Sequence, residues 1–83
     1  MFYTYILQSA KNNQYYTGHT EDIEKRLWLH NNGRVKSTQY KRPWKVVYYE
    51  VFESKIEANQ RELEIKKKKS RKYIDFLIEN KRE

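Results

Sequence analysis

The sequence predicts an α/β (α+β) domain: a small three-stranded antiparallel sheet flanked by three helices, in the order β-β-α-β-α-α. Three observations carry that expectation. Two aromatic and β-branched runs near the N-terminus are separated by Ser9-Ala10-Lys11-Asn12-Asn13, a loop of hairpin length. A third such run, residues 44–52, stands alone in the middle of the chain. After it, Ser54 and Ser70 each open a helical pattern.

Taken in order, residues 2–8 form the first strand, dominated by Phe2, Tyr3, Tyr5, Ile6 and Leu7. Residues 14–19 form the second, which ends at Gly18-His19; two adjacent strands with so short a connection pair antiparallel. Thr20 is the expected N-cap of the first helix, with Glu21 and Asp22 in its first turn, where the helix dipole favours acids. That helix runs to about Asn32, and Gly33 is its stop. Ile23 and Leu27, spaced i, i+4, face the core. Residues 34–43 read as a polar, basic loop closed by Arg42-Pro43. Trp44 to Phe52 is the strongest strand, and Trp44 belongs to the core. Ser54-Lys55-Ile56-Glu57 matches a capping box, and its helix runs to about Lys68. Ser70 opens a third, amphipathic helix with Ile74, Leu77 and Ile78 on one face.

A chain of 83 residues has room for one domain, residues 1–80, with residues 81–83 as a fraying tail. The absence of cysteine excludes disulfides, a thiolate nucleophile and cysteine-bound zinc, and two histidines do not close a metal cage. No apolar run approaches the roughly 20 residues of a membrane span, and the N-terminus does not read as a signal peptide. The expectation is a cytoplasmic protein with no membrane partner and no small-molecule cofactor. Eighteen Lys and Arg against eleven Asp and Glu give a net charge of +7, which favours a polyanionic partner. Eight of the aromatic residues are tyrosine, so the core must find partners for phenol hydroxyls.

Several residues are candidates for chemistry. Tyr5 and Tyr16 lie on neighbouring strands and can share a face, either as core packing or around a ligand, and Gly18 beyond them permits close backbone approach. Arg26 and His30 share a helix edge, which alone reads as solvated surface. Glu57 is explained by capping. Glu62 falls about 40° from Ala58 around the helix, near the inward stripe. It either meets a cation there, Arg or a metal, or pairs with Lys66 on the surface at i, i+4. Six cations in seven residues, Lys66 to Lys72, and the loop cations Arg34, Lys36, Lys41 and Arg42 are a solvated face that also suits a phosphate backbone. Trp28, Trp44 and Tyr40 can stack on bases, with core packing the stronger reading for Trp44, which begins a strand.

These residues together resemble a known family. Tyr3-Thr4-Tyr5-Ile6-Leu7 followed by Tyr15-Tyr16-Thr17-Gly18-His19-Thr20 resembles the paired signature of the GIY-YIG endonucleases. The likeness continues through Ile23, Arg26-Leu27, His30-Asn31, Gly33, Arg42-Pro43-Trp44, Val47-Tyr48, Glu57-Ala58, Arg61-Glu62 and Ile65-Lys66. It is most similar to the short stand-alone, UPF0213-like members and to the nuclease domain of the repair excinuclease. The departures are Tyr3 and Thr4 for the first glycine and isoleucine, Thr17 for the second isoleucine, and His19 for the lysine of the repair nuclease.

The resemblance implies the GIY-YIG nuclease fold and a metal-dependent endonuclease hydrolysing DNA phosphodiester bonds, in repair or recombination. It implies Tyr5, Tyr16, Arg26, His30 and His19 as catalytic residues and Glu62 as the ligand of one Mg²⁺ or Mn²⁺ ion. Arg26 would neutralise phosphate, and either tyrosine, assisted by His19 or His30, would deprotonate water. Arg34, Lys36, Arg42, Lys66 and Lys69 are the candidate DNA contacts, on a structured or damaged substrate. Two other readings stand beside it: a nucleic-acid-binding module of the same fold without hydrolysis, and an interaction domain whose basic face binds acidic proteins.

Overall fold

A computed structural model describes residues 1–81; Arg82 and Glu83, part of the expected tail, lie outside the described residues. The element order is the expected one. β1 (Phe2–Ser9), β2 (Tyr15–Thr20) and β3 (Trp44–Phe52) form one antiparallel sheet in the order β2-β1-β3. α1 spans Ile23–Asn31, α2 Lys55–Lys68 and α3 Arg71–Glu79. Among the described residues no helix is long and apolar enough to cross a membrane.

β1 takes the centre because its residues Thr4 to Leu7 are buried on both faces. Alternation sends Tyr5 and Leu7 to one side, where Trp44, Tyr16, Ile23, Leu27 and Val46 complete a first core cluster. Ile6 points to the other side, into a second cluster with Ile65, Leu77, Tyr15, Val47 and Tyr48. An irregularity between Ile6 and Leu7, paired with Tyr48 and Val46, leaves Val47 as an extra residue and puts the neighbours Val47 and Tyr48 in the same cluster. α1 therefore covers one face, and α2 with α3 the other. The Thr4 hydroxyl donates to the Ala58 carbonyl at 2.7 Å, and the fully buried Ala58 lets α2 approach β1 closely.

The phenols find the partners their burial demands. Tyr5 meets His30, Tyr15 donates to Asp75 at 2.6 Å, and Tyr48 donates to Glu50. Among the described residues no buried side-chain nitrogen or oxygen lacks a partner.

Several boundaries differ from expectation. α1 is capped by Asp22, whose carboxylate accepts from the Lys25 N–H at 3.0 Å, and not by Thr20. Thr20 is still in β2, paired with Tyr3, because strand pairing outcompetes an earlier helix start. Glu21 and Asp22 consequently precede the helix. α1 does stop at Gly33 (φ 72°): the Gly33 and Arg34 N–H groups donate to the His30 and Leu29 carbonyls, closing a Schellman turn. The loop after it contains a 3₁₀ turn at Gln39–Lys41. Ser54 caps α2 through the Glu57 N–H, but the Glu57 carboxylate accepts the Ser54 hydroxyl instead of reaching back to its backbone. At the C-terminus, Asn80 donates to the Phe76 carbonyl from its backbone and its side chain and closes α3.

Candidate active site

A cleft of about 760 Å³ opens where the end of β2, the start of α1 and the middle of α2 converge. Tyr5, Tyr16, His19, Arg26 and Glu62 all line it. Five of the six residues expected for catalysis and metal binding thus meet from four elements.

Tyr5 comes from the central strand and is 2% exposed. Opposite it in the sheet is Gly18, where an added Cβ would lie 2.6 Å from the Tyr5 hydroxyl and 2.8 Å from the ring. The glycine permits a close approach, as expected, but what approaches it is the Tyr5 side chain. Any larger residue at position 18 would push that phenol out of place.

Behind Tyr5 stands His30, fully buried and outside the cleft lining. It is not the solvated helix edge its spacing from Arg26 offered. The Thr38 hydroxyl donates to the Val35 carbonyl, so His30 Nδ1–H donates to Thr38 Oγ1 at 2.8 Å. Nε2 is then free to accept from the Tyr5 hydroxyl at 3.2 Å. Trp44 fixes the end of this chain by donating from Nε1 to the Thr38 carbonyl. Burial, reinforced by the Arg26 charge, lowers the His30 pKa to about 4, so the imidazole is neutral near pH 7. Burial raises Tyr5 well above the ordinary phenol range; Tyr16 and Glu62 add to this and Arg26 opposes it. Tyr16 packs edge-on against His30, ring centres 4.9 Å apart.

Glu62 projects from α2 between the buried Ala58 and Ile65. The inward position and the Lys66 pair occur together, and the groups that meet the carboxylate are Lys66 and His19 rather than an Arg. The Glu62 side chain is 12% exposed and faces the cleft, and Lys66 pairs with it at i, i+4 through Oε2 at 2.5 Å. His19 Nδ1–H donates to the other oxygen. Burial pushes the carboxyl up, but bonds and charges from Lys66 and His19 outweigh it and hold Glu62 below the usual carboxylate range. The result is an ionised carboxylate, a half-buried guanidinium and a phenol backed by a proton acceptor around one open space.

The expected nucleic-acid contacts distribute differently. Arg34 sits over the exposed Trp28 ring, and Arg42 Nε donates to the Gln39 carbonyl. Arg34, Lys36 and Arg42 do not line the cleft. Lys66 reaches it through Glu62, and Lys69 ends α2 in the left-handed conformation. Tyr40 is exposed, and Trp44 is core.

Three residues at the site, Lys25, Lys55 and Thr38, lie outside the candidate residues that the sequence motifs offer. Lys25 and Lys55 both line the cleft from the first turn of a helix. Cations there oppose the helix dipole, and that anomaly is the signal in the sequence that marks them. Thr38 carried no such signal.

The catalytic domain of the GIY-YIG family matches residues 1–74. A UPF0213 protein of Staphylococcus saprophyticus is 44% identical over 78 residues, covering 93% of this chain and 94% of that one. A UPF0213 protein of Clostridium perfringens is 50% identical over 68 residues, 81% of this chain and 72% of that one. The solution NMR structure of a UPF0213 protein from Bacillus halodurans is similar at a TM-score of 0.61 and 36% identity, over 98% of this chain and 86% of that one. The match runs from the hairpin that presents Tyr5 and Tyr16 through the helix that presents Glu62, and the chain belongs to the GIY-YIG catalytic domain family, among its UPF0213 proteins.

Proposed function

We propose that this protein is a metal-assisted endonuclease that hydrolyses phosphodiester bonds in structured or damaged DNA, in repair or recombination. The observation that carries the reading is the convergence of Tyr5, Tyr16, His19, Arg26 and Glu62 on one cleft. Family membership supports the nuclease class.

In this reading Arg26, with Lys25 and Lys55 at the rim, holds the non-bridging phosphate oxygens. Water attacks phosphorus, its oxygen forming the new P–O bond as the ester P–O bond breaks. Tyr5 takes the water's proton while its own passes to His30 Nε2. Of the two phenols, Tyr5 is the one with a proton acceptor bonded behind it. His30, a weak base, then hands its proton back to the Tyr5 oxygen as the phenol releases the water's proton to solvent at the open mouth, and the leaving oxygen takes one from solvent there. His19 orients Glu62.

The donor set at Glu62 fits one hard divalent ion, Mg²⁺ or Mn²⁺. It is an ionised carboxylate facing the cleft, and an ion would take its oxygens in place of the Lys66 and His19 donors. Among the described residues no three carboxylates or histidines gather into a cage, so substrate and water would supply the remaining ligands. When bound, such an ion stabilises the charge of the leaving oxygen.

The test is nicking of plasmid and branched DNA with Mg²⁺ or Mn²⁺, beside Glu62→Gln and Arg26→Ala. Cleavage by the wild type that both variants lose is expected. Cleavage that survives in Glu62→Gln would overturn the assignment. One observation favours the non-hydrolytic module: Lys66 and His19 already occupy both Glu62 oxygens. DNA binding without cleavage by the wild type is the outcome that reading requires.

A further inference from the structure

A second depression, of about 420 Å³, lies between β2 and the turn from α2 to α3. Lys66, Lys69 and Arg71 line it, and among the described residues no Asp or Glu does. The first cleft, by contrast, mixes three cations with Glu21, Asp22 and Glu62. The two spaces adjoin. Tyr16 lines both, and Lys66 leans over the Tyr16 ring at 5.9 Å while bonding Glu62.

We propose that this groove is a second DNA site, which grips the phosphate backbone of the strand running on from the cleft. The inference rests on the proposed function, in which the cleft holds the scissile phosphate.

The chemistry of the groove distinguishes backbone from base. Its aromatic faces are already taken: Arg71 lies over Tyr15 at 4.5 Å and Lys66 over Tyr16. Those rings are not open platforms for base stacking; they seat the cations. Arg71 is further fixed by donating to the Asn13 carbonyl at 2.8 Å. Asp75, the acid beyond the groove, is engaged by the Tyr15 hydroxyl. Lys69 closes α2 with φ 47°, a conformation that makes the chain turn there between Lys66 and Arg71. The site therefore reads charge and spacing, not sequence.

The test uses the full chain in metal-free buffer and a short DNA duplex with a single-stranded arm. Amide NMR shifts locate the contact. The slope of binding constant against salt counts phosphates engaged. Lys69→Asn suits the left-handed backbone, and Arg71→Gln keeps a donor for Asn13. Together they are expected to lower the slope by about 2, and amides of residues 14–17 and 65–71 shift in the wild type. The off-groove pair Lys67→Gln and Lys72→Gln removes equal charge and is expected to change the slope by less than about 1. Equal effects from both pairs would overturn the groove in favour of diffuse attraction. So would shifts confined to the cleft residues Gly18, His19, Arg26 and Lys55, an outcome that leaves the proposed function standing. No DNA binding at all would overturn both.

Discussion

Arg61 and Glu62 are neighbours on α2, yet they turn to different strands and enter two different kinds of polar network. Arg61 reaches β3, donating to Glu50 from Nε at 2.9 Å and from Nη2 at 3.0 Å, and from Nη1 to the Tyr73 hydroxyl and to Glu64. Tyr48 donates to the same Glu50 carboxylate. Burial, with the Glu50 bond and charge, raises the Tyr48 phenol to about 12, so it stays a donor. That network is closed: each partner is used up in fastening sheet to helices. Glu62 instead meets His19 and Lys66, both more exposed than itself, beside open space. A charged pair does not by itself mark a site. What distinguishes Glu62 is that its partners are part-exposed and open space lies beside it.

The largest expected effect separates the two networks. Glu62→Gln is expected to cost on the order of 10³-fold in cleavage rate. It should change unfolding free energy by less than about 1 kcal/mol, because part-exposed pairs contribute little. Single-turnover nicking and urea unfolding on one preparation measure both. A large stability loss with cleavage retained would put Glu62 in the structural class.

The cleft side also carries a pH signature on the acid side, at His30. The His30 pKa is about 4 in the folded protein and about 6.5 in the unfolded chain. As pH falls, the unfolded state takes up its proton first. The associated stability is complete above about 6.5, is lost down to about 4, and is flat below. The loss is at most roughly 3 to 4 kcal/mol, at about 1.4 kcal/mol per pH unit. Urea unfolding at pH 7 and pH 4.5 measures it. In His30→Gln the difference between the two pH values should shrink accordingly; an unchanged difference would mean that other groups carry the acid sensitivity.

Arg61→Met is expected to destabilise by about 2 kcal/mol, since it leaves the Glu50 carboxylate short of its cation in a half-buried place. Replacing Glu50 with Met as well should recover part of that loss. Additive losses in the double variant would mean the pair is not coupled.

Much of the architecture could be read in the sequence because it is written in local patterns. β-branched and aromatic runs gave the strands, Ser54 and Ser70 the helix starts, and Gly33 a stop. The helix start at Asp22 escaped because Thr20 has the right side chain but a strand partner, Tyr3, far away in sequence. The convergence of cleft residues was legible only through family resemblance, since no periodicity relates Tyr5 to Glu62. Two details required coordinates: Gly18 makes room for Tyr5, and His30 is buried by Tyr5, Tyr16 and Thr38. Both depend on what lies across the sheet, which spacing along one element does not encode.

The smallest expected effect tests whether fastening and function can be separated within one side chain. Asp22 caps α1 through the Lys25 N–H and also lines the cleft among Lys25, Arg26 and Lys55. Asp22→Ala loses the cap and should cost about 1 kcal/mol in urea unfolding. Asp22→Asn keeps it, because Asn caps as well as Asp, and should stay within about 0.5 kcal/mol of the wild type. It also removes a negative charge where phosphate is proposed to sit, so DNA should bind roughly threefold tighter at low salt, an advantage that fades as salt screens it. If Asp22→Asn instead abolished cleavage as Glu62→Gln does, Asp22 would belong with Glu62 in holding the ion, and the one-carboxylate site would be wrong.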